Sequence, residues 1–113
     1  MGLAASQARF LMLTARKSDL EMQGQGINQK RLGLANNVMG LMNLMQYTGL
    51  INNPESGPAQ ALQEQINSLQ QRDKILELDL RRVDTQQQAV QTEISAVQKV
   101  IDKNIDMSFK TFA

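Results

Sequence analysis

The chain of 113 residues has no cysteine, no histidine and no tryptophan. Without cysteine there is no disulfide scaffold and no thiol chemistry, and without histidine the usual zinc sites and imidazole acid–base catalysis are excluded. Aromatic residues make up only 4%. The apolar surface therefore comes mainly from Leu, Ile, Val, Met and Ala, which suit helix seams better than a thick globular core.

Strong charge and long apolar runs are also missing. The formal net charge is +1, and acidic and basic residues are interleaved in the second half of the chain, so we expect no strong attraction to nucleic acid or to an acidic membrane. No apolar run approaches the ~18 residues that cross a bilayer. The N-terminal stretch lacks a basic segment ahead of its apolar part and is a poor secretory signal. We expect no membrane span. We also expect the protein to be made in the cytoplasm and, if it is exported, to be exported without a cleavable signal peptide.

A coiled-coil repeat runs through residues 62–101. Its members, spaced alternately by four and three residues, form the arm-2 seam: Leu62, Ile66, Leu69, Asp73, Leu76, Leu80, Val83, Gln87, Val90, Ile94, Val97 and Ile101. This is the 3.5-residue period of a helix that buries one stripe against another helix. Only Asp73 and Gln87 interrupt the apolar run. Asp73 either fixes the register or lies where the helix pair is open to water.

The first half carries a weaker repeat of the same period. The arm-1 seam consists of Leu13, Lys17, Leu20, Gly24, Ile27, Arg31, Leu34, Val38, Leu41 and Met45. Beside it Gly26, Gly33 and Gly40 recur every seven residues and form a glycine row along one helix face. Each costs ~0.5–1 kcal/mol relative to Ala inside a helix. Either a further helix approaches closely along the row, or the glycines mark an irregular helix.

Two local signals concern the ends of helices. Ser18 and Glu21 have the spacing of a capping box that would start a new helix, although these residues could equally lie exposed within one continuous helix. Gly49 is suited to the left-handed position after a helix end, with Leu50 folding back onto Met45. Both prolines of the chain follow, and Pro58 suits the first position of the next helix.

These signals predict an all-α fold, a long antiparallel two-helix coiled-coil hairpin in a single domain over 1–113. Arm 1 would span about 3–48, the loop 49–57, with Asn53, Pro54, Gly57 and Pro58 as its defining residues, and arm 2 about 58–110. Several apolar residues fall off both seams: Leu32, Met42, Ile75, Leu78 and Val100. Two helices rarely suffice for stability at this size, so we expect an oligomer or a helical partner.

No catalytic constellation is recognisable. An enzyme without His or Cys would need carboxylates, Lys, Ser or Tyr converging in a pocket, and a phosphate-binding enzyme would need a glycine loop that is absent here. We therefore expect no enzymatic activity, no catalytic residue, no metal, no cofactor and no small-molecule ligand.

Residues 53–62, in which two prolines flank a few polar residues and lead into an Ala/Leu-bearing helix, resemble the loop of the needle subunits of bacterial type III secretion systems. The C-terminal segment is similar too, with an Ile/Val stripe, Lys and Asp, ending near a Phe: Val97, Lys99, Val100, Ile101, Asp102, Ile105 and Phe109. The lack of Cys, the few aromatics and the Gln, Asn and Ser content also resemble flagellar axial proteins. The likeness covers residues 53–112.

The resemblance implies a structural, self-assembling subunit of a bacterial type III or flagellar-type secretion apparatus. Its partners would be copies of itself or other helical secretion components. The assembly contacts would lie at Ile101, Ile105, Phe109 and Phe112. The competing hypothesis is a cytoplasmic coiled-coil adaptor or export chaperone that binds a partner helix along Gly26, Gly33 and Gly40.

Overall fold

The computed structural model describes residues 2–112, with side chains as far as residue 110. Helix α1 spans Leu3–Thr48, a short 3-10 turn spans Leu50–Asn52, and helix α2 spans Gly57–Phe112; there is no strand in this described range. The predicted all-α fold, a helical hairpin with coiled-coil-like pairing, is confirmed. Its oligomeric state and the single domain over 1–113 stay predictions.

Helix α1 runs without interruption past the predicted capping box and past Gly24 and Gly26. Ser18 and Glu21 lie exposed within it, so the new helix start is wrong and the continuous helix is confirmed. The reason is the packing of one face, because Leu13 and Leu20 on either side of Ser18 are both buried. Burial of that face outweighs a local capping preference that is worth about 1 kcal/mol.

The helix pair divides into two compact units. The terminal unit comprises Met1–Gly24 and Arg82–Ala113, and the loop unit comprises Gln25–Arg81. The terminal unit contains most of the buried residues: Ser6, Leu13, Leu20, Val83, Val90, Ile94 and Val97. In the loop unit Ala59 and Ile66 are buried, while most of its seam residues are half-buried.

Both predicted seams are confirmed by burial. Every member of the arm-1 and arm-2 seams is buried or half-buried, including the polar ones. The repeat in α1 also begins earlier than expected, because Leu3, Ser6 and Phe10 continue the same three-and-four spacing and are not exposed. Because Ser6 is polar, a search of the sequence for apolar residues at this spacing misses the first part of the seam.

The connection between the helices is set by one glycine and one serine. Gly49 has φ 74° and ψ 8°, and its N–H donates to the Gln46 carbonyl at 3.2 Å, which is one of the two hydrogen bonds of a Schellman ending. The Ser56 Oγ then accepts from the Ala59 N–H at 3.3 Å as an N-cap. This cap starts α2 at Gly57. Pro58 is therefore the second residue of the helix, whereas the sequence predicts it as the first.

Candidate assembly surface

Two polar residues at seam positions form an ion pair in the loop unit. The Arg31 Nε lies 2.8 Å from the Asp73 Oδ1, and a second guanidinium nitrogen lies 3.4 Å from Oδ2. The side chains are 30% and 39% exposed. The hydrogen bond from Arg31 lowers the pKa of Asp73, and the same bond raises the pKa of Arg31. Arg31 was expected only as a weak point of its seam, and the structure gives it a partner.

The terminal unit also joins the helices through polar groups. The Arg9 guanidinium donates to the Glu93 carboxylate at 2.9 Å, and both side chains are half exposed. Lys17 and Gln87, the polar members of the two seams in this unit, line one surface cavity of about 350 Å³ together with Glu21 and Asp84. Polar seam residues of one helix therefore lie near polar seam residues of the other in each unit.

Large apolar side chains remain uncovered on the outside of the helices. Leu32, Met42, Ile75 and Leu78 are exposed, as the sequence predicts, and so are further ones: Leu11, Met12, Met22, Met39, Leu44, Tyr47, Ile51, Met107 and Phe109. Around the loop this apolar surface is also nearly free of charge. Residues 32–63 contain a single charged side chain, Glu55.

Some of the uncovered apolar residues of the loop unit border a groove between α1 and α2: Leu32, Met39, Met42 and Ile51. Two cavities of about 610 and 290 Å³ share Gln70 and together form what we call the loop groove. Its lining residues are Asn28, Arg31, Leu32, Leu34, Ala35, Val38, Met39, Met42, Met45, Gln46, Ile51, Gln63, Ile66, Leu69, Gln70 and Asp73. Only Arg31 and Asp73 in this lining are charged, and they are paired with each other. The sequence predicts that Leu32 and Met42 are uncovered but does not reveal the groove, because its second wall comes from the distant residues 63–73.

The glycine row is not filled by α2. A Cβ atom built on Gly26, Gly33 or Gly40 would meet no atom within 4 Å. Gly33 instead borders a cavity of about 460 Å³ that Asn37 and Ile75 also line. The row is therefore open space beside the helix, and the predicted contact with a further helix stays a prediction.

The other predicted site residues lie at the two ends of α2. Ile101 is half-buried, Ile105 is exposed and Phe109 is 73% exposed, whereas the side chain of Phe112 lies outside the described residues. Near the loop Asn53, Pro54, Gly57 and Pro58 are all exposed. Asn53 donates its N–H to the Leu50 carbonyl at 3.1 Å and accepts from the Ser56 N–H at 3.2 Å. The loop and the C-terminal residues belong to different units.

Among the described residues there is no cluster of side chains that could hold a metal ion. Neither helix, over its described length, is apolar enough for long enough to cross a membrane. No family model, no curated protein and no solved structure matches this chain. The function must therefore be argued from the exposed surfaces themselves.

Proposed function

We propose that this protein is a structural, self-assembling subunit of a bacterial type III or flagellar-type secretion apparatus. It is made in the cytoplasm and then exported. Its contacts are with other copies or with other helical components of the apparatus. The observation that carries the proposal is the number of large apolar side chains that the two helices leave exposed, among them Leu32, Met39 and Phe109.

Exposed apolar area of this kind favours association. Burial stabilises by about 25 cal/mol per Å² of apolar surface, and contiguous exposed apolar surface in soluble proteins marks interaction sites. The near absence of charge in residues 32–63 removes the repulsion that would keep identical chains apart. The secretion setting is supported by the resemblance of residues 53–112 to needle subunits.

The C-terminal end of α2 is the first place to test assembly. Phe109→Ala combined with deletion of residues 111–113 removes two aromatic side chains, Phe112 and Phe109, of which Phe109 is 73% exposed. Because the change is confined to the end of α2, the rest of the isolated hairpin should remain helical. We expect large assemblies to be lost in light scattering and electron microscopy. Met22→Ala, which also truncates an exposed apolar side chain, is the matched control. Unchanged assembly of the C-terminal variant would refute the contact.

The alternative function is a cytoplasmic coiled-coil adaptor or export chaperone. It is favoured by the open space along Gly26, Gly33 and Gly40, where a partner helix could approach the backbone closely. An adaptor would be a discrete monomer or dimer that binds one client per subunit. Light scattering therefore separates the two functions, because only the structural subunit continues to grow with concentration.

A further inference from the structure

A second stripe on α1, distinct from its seam, lines the loop groove. Its members are Asn28, Leu32, Ala35, Met39, Met42 and Gln46. They are spaced by four, three, four, three and four residues, and all six are exposed, with Leu32 at 64% and Met39 at 61%. The spacing is that of a coiled-coil seam, so the natural cover for the stripe is another helix with the same spacing.

The order of residues in this stripe is symmetric about its centre. The spacing reads the same in both directions, the two end residues are amides, and the four central residues are apolar. If a second α1 is laid antiparallel on the first, Asn28 faces Gln46, Leu32 faces Met42, and the small Ala35 faces the larger Met39. A two-fold symmetric interface requires this self-complementarity, since the same patch must serve both subunits.

The lack of unpaired charge in the loop groove also favours a second copy of this chain as its occupant. The only charged residues in its lining, Arg31 and Asp73, are already paired, so the groove offers no free charge to nucleic acid, to lipid head groups or to a charged peptide. Its remaining polar lining consists of amides: Asn28, Gln46, Gln63 and Gln70. Amides both donate and accept hydrogen bonds, and they can therefore pair with an identical copy.

The geometry points to a second copy of this chain in the loop groove, with the two α1 helices antiparallel and their two-fold axis between Ala35 and Met39. This inference rests on the proposed self-assembly and names the face and the direction of one contact. It places Asn28 of one chain beside Gln46 of the other. Within one chain these residues are about 27 Å apart along the helix.

Single cysteines test this arrangement, because the chain has none of its own. Asn28→Cys and Gln46→Cys are prepared separately, mixed, and exposed to a mild oxidant. Both positions are exposed, so folding should be retained. We expect a covalent dimer in the mixture at about ten times the yield from either variant alone, since a disulfide requires Cα atoms within about 7 Å. Asn36→Cys, exposed but outside the groove lining, should give only the background yield.

Equal yields from the single variants and the mixture would overturn the antiparallel arrangement, and background yield in the mixture would overturn the contact itself. If the chain still forms large assemblies in light scattering without this crosslink, the inference fails and the proposed function stands. If it crosslinks as predicted but never exceeds a dimer, the inference stands and the proposed structural subunit fails.

A second pair of variants needs no cysteine. Met39→Glu places a carboxylate at the centre of the groove in both copies, and we expect the dissociation constant of the dimer to rise by at least about tenfold. Met22→Glu is the control, because Met22 has similar exposure, 68% against 61% for Met39, and lies in the other unit. Similar dissociation constants for the two variants would contradict the inference.

Discussion

Ser6 occupies a position in the α1 repeat that would otherwise be apolar. Its side chain is fully buried, and its Oγ has no hydrogen-bond partner among the described residues. Burying a hydroxyl without a hydrogen-bond partner destabilises the folded state, because no hydrogen bond offsets the loss of hydration. The residue therefore weakens the terminal unit at the place where the seam begins.

Ser6→Ala should raise the free energy of unfolding by about 1 kcal/mol, measured by urea denaturation followed by circular dichroism. Ser18→Ala is the control, because it makes the same change in helix propensity at an exposed position of α1. Only the difference between the two variants reports the buried hydroxyl. An equal or smaller gain for Ser6→Ala would contradict the account.

The ion pair between Arg31 and Asp73 predicts a pH dependence. Because the hydrogen bond from Arg31 lowers the pKa of Asp73 in the folded chain, the pair stabilises the fold above the ordinary Asp pKa of about 3.9 and is lost as the pH falls through the lower, folded value. Unfolding in urea at about pH 6 and about pH 3 measures this loss. Asp73→Asn should reduce the pH dependence, whereas Asp19→Asn at an exposed position should preserve it.

In the sequence, Arg31 and Asp73 are separate polar interruptions of two seams, and their pairing was not predicted. The available signal was their position, because the two residues lie at similar distances from the Gly49–Ser56 connection, and antiparallel arms bring such residues together. Ser6 was missed for a different reason. From the sequence alone, a serine that is buried in a seam cannot be distinguished from an exposed serine beyond the end of that seam.

At the scale of the element, the helices were the most predictable feature. The three-and-four spacing identifies both buried faces, since seam positions must return to the partner helix at every turn. The helix bounds agree closely with the prediction: α1 spans Leu3–Thr48 as expected, and α2 begins one residue earlier than predicted, at Gly57, because of the Ser56 cap. The capping box at Ser18 did not start a new helix, because the helix buries Leu13 and Leu20 on either side of it.

The glycine row gives a prediction for α1. Gly33→Ala should stabilise the isolated hairpin by about 0.5–1 kcal/mol, since the added Cβ meets nothing within 4 Å. The same variant should weaken self-assembly or client binding where the row contacts a further helix. Chemical denaturation measures the first effect and light scattering the second, with Asn36→Ala as the control. Stabilisation with unchanged association would show that the row is not a contact.

For the molecule as a whole, the hairpin could be predicted from the sequence, whereas the proposed contact with a second copy could not. The seams follow from the local periodicity of one chain, whereas nothing in either helix covers Leu32, Met39 or Phe109. A single sequence indicates that apolar surface is left exposed, because some of its apolar residues lie off the two seams. The second wall of the loop groove depends on residues of α2 and required the structure.

We propose that these exposed surfaces join copies of this chain into a growing assembly. The most direct test is light scattering coupled to size exclusion on the purified chain over a concentration series, with electron microscopy of any excluded fraction. The account predicts a mass that increases with concentration and ends in filaments or rings. A monomer or dimer whose mass is independent of concentration would contradict it and favour the adaptor.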